Sequence, residues 1–420
     1  MKFCMLTSFF GSHSFGGDSV YIERLCQALL RRGHEVHVVY SQGAFESVRG
    51  QTCLRPYEPP EGLVEHPLDT GRWSGKLNVL WSHQTAGAGR NTSRLRQIFE
   101  REAFDVLHLH NVSLLGGRGV PRLASTFPKA VKLLTAHDYW WICPRSLLWR
   151  ISESPCRSRA CFVCNLRQRK PPQLWRRDGW FNGALSGMDA ILFPSRCAMQ
   201  THETMGMNHG CLRVLPGLLP EGWEDGARNP PRDTPDWLPA RPFIASAGRM
   251  VVEKGFQTVI PLMRHVPGVD LVIAGDGPLR NELQRMARGI PNVEFAGLRS
   301  NQDVRLLFQR ARSVLVPSLF PETFGLVVAE ALTLGTRVIA RRVGSIPEVT
   351  AASPDAMLFD SETELLALLQ KVAAESAKSH VSTDGGLLNP PPTWFEEGHL
   401  KEYLGLIDEI RDRRQAAAPR

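Results

Sequence analysis

Strand-like and helix-like segments alternate through this chain twice, and no other feature limits its fold as tightly. In the first half, strand-like runs occur at Lys2–Thr7, Glu35–Tyr40, Val106–His110, Val131–Thr135, Ala190–Pro194 and Leu212–Leu215. Helical patterns separate them. Tyr21, Leu25, Ala28 and Leu29 share one helical face, and Gly33 closes that helix. Strands that alternate with helices return in the same direction, so the pattern predicts a parallel, doubly wound sheet. A second series follows at Phe243–Ala247, Asp270–Ala274, Asn292–Ala296, Ser313–Val316 and Thr336–Ala340. Leu279, Leu283, Met286 and Ala287 form the apolar stripe of one of its helices, with Pro278 near the start and Gly289 at the end.

The interval from Gly217 to Pro242 is rich in Pro, Gly and charge and lacks periodicity, so it reads as a linker. The expected organisation is an N-terminal Rossmann-like domain over 1–217, a linker over 218–242 and a second Rossmann-like domain over 243–392. The residues 393–420 carry a last helical pattern, Trp394 to Ile410, with a frayed tail expected from Arg411 to Arg420. After Ser361 the reading is one amphipathic helix followed by a polar segment, Glu375 to Pro392. Two sheets joined by a linker imply an α/β pair facing across a cleft, with ligands beyond the carboxyl ends of the strands.

Bulk composition is that of a globular protein, 43% apolar and 22% charged, and no apolar run reaches 18 residues. The start, Met1 to Gly11, reads as a buried strand leading into a functional loop rather than as a signal peptide. Nine cysteines, an odd number, argue against a disulfide framework and for a reduced cytoplasm. The formal net charge is +8. From Cys143 to Asp178 there are nine basic residues against Glu153 and Asp178, so this segment alone is +7 and the remainder only +1. Charge so concentrated excludes a domain-wide nucleic-acid footprint. It suits a solvated loop, or contact with an anionic inner-membrane surface or a phosphate-bearing acceptor.

The segment Pro321 to Leu332 holds two carboxylates, Glu322 and Glu330, with seven residues between them. Glu322 falls on an irregular stretch and Glu330 about one turn into a helix read from Leu326 to Leu334. Free backbone N–H groups near Gly325, Leu326 and Val327 lie between them, and a helix start attracts anions. Two acids beside an anion site suit a ligand that also offers hydroxyls or developing positive charge. Arg249 and Lys254 follow a strand directly and can neutralise a leaving diphosphate without a metal. Gly16 and Gly17, after the first strand, let backbone approach a phosphate, or simply form a tight turn. His137 ends a strand in Thr135-Ala-His-Asp-Tyr-Trp-Trp141, where it could hold a sugar hydroxyl or shuttle a proton. His108 and His110 point to one face, and Tyr139, Trp140 and Trp141 are either a stacking platform or core. Cys143, Cys156, Cys161 and Cys164 end in a C-x-x-C knuckle that suits structural zinc, with an iron–sulfur cluster as the other reading. Cys4, Cys26, Cys53, Cys197 and Cys211 read as small buried hydrophobes.

Together these residues resemble the family-4 retaining glycosyltransferases, which have the two-domain GT-B fold. The resemblance runs through Gly16-Gly17, Leu29 to Val36, Asp105 to His110, Thr135-Ala-His137, Gly248-Arg249 with Lys254-Gly255, Val272 to Pro278, Val293 to Gly297, and Pro317-Ser318 leading to Glu322 and Glu330. The specific part is the pair of acids with Arg249 and Lys254. The resemblance implies a nucleoside-diphosphate sugar donor held mainly by the second domain. Arg249, Lys254 and the N–H groups near Leu326 and Val327 would meet its phosphates, Glu330 its ribose, and Glu322 the transferred sugar. Gly17 would approach the diphosphate and His137 the sugar. It also implies retention of anomeric configuration, catalysis without a metal cofactor, and a last helix that crosses back to the first domain. A saccharide or lipid-linked acceptor, in cell-surface polysaccharide or glycoconjugate synthesis, is the expected partner. A glycosidase would not need the cations or glycine loops, and a phosphorylase would need a pyridoxal-phosphate lysine. A catalytically inactive transferase-like subunit is the non-enzyme alternative. The Cys-rich segment lies outside the minimal family pattern.

Overall fold

The computed structural model describes residues 1–14, 16–49, 57–68, 72–149, 156, 161–167, 172–176, 179–220, 222–223, 235–375 and 390–417. Phe15, Cys53 and most of the basic and polar segments singled out above, including Arg150, Arg157, Arg159, Arg169, Lys170 and Arg177, lie outside the described residues. The chain divides into two units, Met1–Leu218 with Pro392–Arg420, and Leu219–Pro391.

The first unit is built on seven parallel strands: β1 Lys2–Leu6, β2 Glu35–Ser41, β3 Leu63–Leu68, β4 Val106–Leu109, β5 Val131–Thr135, β6 Ala190–Phe193 and β7 Leu212–Val214. Their order is β3-β2-β1-β4-β5-β6-β7. The central strands are buried from end to end, which is why they read as unbroken apolar runs rather than alternating ones. The Gly17–Arg31 helix buries Tyr21, Leu25, Ala28 and Leu29 against the sheet, on the face expected from their spacing. The Glu396–Ala417 helix covers the same side, with Leu400, Tyr403 and Ile407 in that core.

That last helix corrects the expectation of a frayed tail. It continues to Ala417 because Arg411 pairs with Asp105 at 3.0 Å and Arg414 with Asp189 at 2.5 Å. Arg414 also donates to the Ala130 carbonyl. Polar residues that look like a solvated end are therefore anchored to the strand starts they pass.

The second unit has six parallel strands: β8 Phe243–Ala247, β9 Asp270–Ala274, β10 Val293–Gly297, β11 Ser313–Val316, β12 Val338–Arg341 and β13 Met357–Phe359. The order is β10-β9-β8-β11-β12-β13. Both sheets thus reverse direction beside their first strand, between β1 and β4 and between β8 and β11. Such a reversal leaves a crevice at the carboxyl ends of the two strands, where open α/β sheets bind ligands. The interval read as a linker is packed rather than free where it is described. Trp223 is buried and donates from Nε1 to the Glu330 carbonyl, and Arg299 lies over the Trp237 ring at 4.0 Å.

Candidate active site

Four loops of the second unit converge at the β8/β11 reversal. They follow β8 (248–255), β9 (275–279), β11 (317–325) and β12 (342–345). Their backbones touch closely. A Cβ on Gly255 would lie 2.1 Å from the Pro317 carbonyl oxygen, and one on Gly344 would lie 2.5 Å from the Glu322 nitrogen. Gly255 also has φ +77°, a left-handed conformation that disfavours side chains. The Leu319 N–H donates to the Glu253 carbonyl at 2.8 Å. The loop bearing the cations is therefore fastened to the loop bearing the acid.

This fastening brings Lys254 and Glu322 together across 68 residues, with Nζ 2.7 Å from Oε1. Ser318 donates to the same oxygen at 2.6 Å. Glu322 is 8% exposed, and among the described residues no donor is directed at its second oxygen, Oε2. The carboxylate is thus fixed through one oxygen. Lys254 also faces the Phe320 ring at 5.3 Å. Arg249, half-buried on the same loop, has its acidity raised by burial, and Glu253 opposes that shift.

Gly325, at φ 79° and ψ 59°, turns the chain into the Leu326–Thr333 helix. No side chain caps this helix, and its first turn carries no acid. Val328 and Ala329 donate back to the Gly325 carbonyl, so the N–H groups of Leu326 and Val327 are the ones that point out of the helix start. Glu330 is one turn further on, half-buried. Arg249, Lys254, Glu322, Gly325, Leu326, Val327 and Glu330 are consequently carried by two adjoining loops and one short helix.

In the first unit, Gly16 and Gly17 are exposed at the start of the Gly17–Arg31 helix, with Gly16 at φ 104°. At the neighbouring carboxyl ends of β4 and β5, beside the β1/β4 reversal, His110 Nδ1 and His137 Nε2 are 2.9 Å apart. His110 Nε2 is buried with no partner. The two facing nitrogens share one proton, which either ring can carry. Burial pushes His137 down to about 3, so the ring is neutral. His108 is a packed residue, bonded to Tyr403 at 2.9 Å and Thr135 at 2.8 Å. Tyr139, Trp140 and Trp141 belong to the core, not to a stacking platform.

Two acids beside these histidines were not singled out from sequence. Asp138 is pushed up to about 6, chiefly by burial, with Asp18 nearby adding to the shift. Asp18 is raised as well, chiefly by burial, and Asn111 donates to it at 3.3 Å. The only sequence signal was position: each directly follows a residue of a loop already marked, Gly17 and His137. Ser318 was likewise visible only as a neighbour of Pro317.

The four cysteines share one neighbourhood. The Cys161 thiol is influenced first by burial and then by Cys143, Cys156, Arg176 and Cys164. Burial raises Cys143 too, opposed by N–H donation from Arg145, Leu148 and Leu147 to its sulfur. Cys161 and Cys164 lie on successive turns of the Cys161–Arg167 helix. Among the described residues the trio of His, Cys, Asp or Glu whose ligand atoms all lie within 4.8 Å is a different one, His37, His66 and Glu102. There Lys2 already holds Glu102 at 2.7 Å and His37 bonds His66 at 2.8 Å, so the group is satisfied as a polar network.

Comparison with known proteins matches each unit to a family. Residues 15–218 match the family described as Glycosyltransferase Family 4, and residues 232–381 match Glycosyl transferases group 1. An uncharacterised glycosyltransferase of Methanocaldococcus jannaschii is 23% identical over 376 residues, 83% of this chain and 82% of that one. A GDP-mannose-dependent alpha-(1-6)-phosphatidylinositol dimannoside mannosyltransferase of Mycobacterium tuberculosis is 33% identical over 147 residues, 34% of this chain and 38% of that protein. Among solved structures, sucrose-phosphate synthase of Thermosynechococcus elongatus has a TM-score of 0.64 at 16% identity, covering 100% of both chains. Anabaena HepE in complex with UDP and glucose has a TM-score of 0.59 at 15% identity, covering 99% of this chain and 100% of that one.

Proposed function

The chain belongs to glycosyltransferase family 4 and has the GT-B fold, and from that premise we propose that it moves a sugar from a nucleoside-diphosphate donor to a saccharide or lipid-linked hydroxyl, with retention of anomeric configuration and no catalytic metal. One observation carries the reading. At the β8/β11 reversal, a carboxylate anchored through a single oxygen lies beside a lysine and an uncapped helix start.

The chemistry follows from charge. Breaking the anomeric bond leaves negative charge on the diphosphate and positive charge on the sugar. Arg249, Lys254 and the N–H groups of Leu326 and Val327 stabilise the former. Oε2 of Glu322 faces the latter. Glu330 holds the ribose hydroxyls. Groups fixed in place before the reaction need no reorganisation as charge develops, and each contributes a few kcal/mol. Cations and backbone dipoles supply the countercharge that a divalent metal supplies elsewhere.

For the first unit we assign Gly16 and Gly17 to the donor diphosphate and His137, as a neutral ring, to a sugar hydroxyl. HepE, whose structure holds UDP and glucose, lends support to a donor of this class. Arg249, Lys254, Glu322 and Glu330 are all present, which speaks against a catalytically silent subunit. Cell-surface polysaccharide or glycoconjugate synthesis is the setting we propose.

A structural metal at Cys143, Cys156, Cys161 and Cys164 is part of the same proposal. Burial raises the Cys143 and Cys161 thiols, and a bound cation would supply the charge that holds such buried sulfurs as thiolates. Transfer is tested by donor-consumption assays over a panel of nucleoside-diphosphate sugars with saccharide acceptors. The reading fails if no donor is consumed or stabilises the fold.

A further inference from the structure

The Arg72–Thr85 helix turns most of its described large apolar side chains outward. Its apolar residues Leu77, Leu80 and Trp81 recur at helical spacing on the exposed face, with Leu80 57% and Trp81 54% accessible. Its inward side mixes buried Asn78 and Ser82 with Val79, which packs against Phe9, Ala44 and Phe45, and the Ser82 hydroxyl donates to the carbonyls of Gly87 and Leu114. Two leucines and a tryptophan exposed side by side on one helix form a contiguous apolar patch, which marks an interaction surface.

A second exposed apolar surface adjoins the first. Trp175 Nε1 donates to the His83 carbonyl at 2.8 Å, tying the 172–176 segment to the end of this helix. The neighbouring Leu174 is 73% exposed. Arg176, next in sequence, is packed among Trp140, Trp175 and Trp180 and interacts with Cys161. Cys161 opens the Cys161–Arg167 helix, which exposes Phe162, Val163 and Leu166.

Charge identifies the partner. Residues 70–99 contain Arg72, Lys76, Arg90, Arg94 and Arg96 and no acid, and the Cys161–Arg167 helix has none either. Lys76, Arg90 and Arg167 are exposed. Arg90 follows Gly89, whose Cβ position lies 3.0 Å from the Trp81 ring. Leucine, phenylalanine and tryptophan beside cations, with no acid in the described residues of these two helices, form the pattern of a surface that enters the headgroup region of an anionic bilayer. No helix among the described residues is long and apolar enough to cross a membrane. We propose that this face, the Arg72–Thr85 helix with Leu174 and the Cys161–Arg167 helix, docks the protein onto an anionic lipid surface.

The inference does not depend on the transfer reaction. Its test is co-sedimentation of the full chain with vesicles of phosphatidylcholine, with and without phosphatidylglycerol, alongside size-exclusion chromatography. The wild type sediments with the anionic vesicles only. Leu80→Asp combined with Trp81→Ala abolishes this while leaving the melting temperature unchanged, since both side chains are exposed. Lys76→Gln combined with Arg167→Gln weakens partitioning roughly 30-fold, about fivefold per cation. The proposal is overturned if the wild type ignores anionic vesicles, or if both double variants sediment as the wild type does. It is equally overturned if the wild type is a dimer that Leu80→Asp splits and no vesicle competes, because a second copy would then cover the face.

Discussion

Replacing Glu322 by Gln removes one charge from the centre of the proposed site while keeping its shape. The amide oxygen still accepts from Ser318, and only Lys254 loses its ionic partner. Lys254 keeps 28% of its side-chain exposure, so water takes over much of the lost pairing, and the cost in stability is about 1 kcal/mol. The effect on transfer is larger. A unit charge about 4 Å from a developing cation, at an effective dielectric near 20, contributes about 4 kcal/mol. That corresponds to roughly a thousandfold in kcat. Donor binding behaves differently. In the free protein Glu322 competes with the donor diphosphate for Lys254, so Glu322→Gln frees the lysine and removes a repulsive charge. The donor KM therefore stays level or falls while kcat collapses, the signature of an interaction made in the transition state. Donor consumption gives kcat and KM, and donor-induced thermal stabilisation gives binding independently. Turnover by Glu322→Gln within about threefold of the wild type would refute the assignment of charge stabilisation to this residue, given the magnitude above.

Arg249→Met and Lys254→Met should each raise the donor dissociation constant by about 10- to 100-fold, as expected for a charge-assisted phosphate contact; unchanged affinity would remove them from the diphosphate site. Gly255→Ala should lower the melting temperature and impair donor binding together, because its Cβ meets the Pro317 oxygen at 2.1 Å in a left-handed turn; a variant as stable as the wild type would show that the loop junction is not tight. Acid should destabilise the first unit. His108, His110, His137, His202 and His399 are all depressed by burial, the last two to about 4. The unfolded chain binds their protons first, so stability is complete above about 6.5 and each histidine forfeits about 1.4 kcal/mol per pH unit below it. Asp138, raised to about 6, acts in the opposite sense, as do Asp18 and Glu65, both raised by burial, but these are three groups against five. A melting temperature that held steady or rose from pH 7.5 down to 5 would contradict this, as judged from the ordinary histidine range. Elemental analysis of protein purified reduced and without chelator should find a metal bound by the Cys143, Cys156, Cys161 and Cys164 set; a stoichiometry near zero removes that proposal.

Both sheets were legible in the sequence because parallel strands buried on two faces announce themselves as apolar runs. The strands that escaped notice are β3 and β13, one at the edge of each sheet. β3 is mostly half-buried and contains Pro67, and β13 is three residues long. Edge strands carry a weak apolar signal and tolerate proline, so neither exceeds the background of a loop. The candidate site was legible as residues and not as contacts. Arg249, Lys254, Glu322 and Glu330 stand out by spacing, but the Lys254–Glu322 ion pair depends on Gly255 and Gly344 letting two loops touch. Likewise the bond between His108 and Tyr403 spans 295 residues and follows from where the last helix lies. The outward apolar patch of helix 72–85 was missed for a related reason: helical spacing reports that apolar residues share a face, not which way the face points.

Calorimetric titration of nucleoside diphosphates into the wild type, Glu322→Gln and Arg249→Met with Lys254→Met reaches the central claim most directly. The account predicts that one nucleoside diphosphate binds the wild type and Glu322→Gln comparably and fails to bind the double cation variant. Equal binding by all three, or binding by none, would contradict a diphosphate site at the β8/β11 reversal.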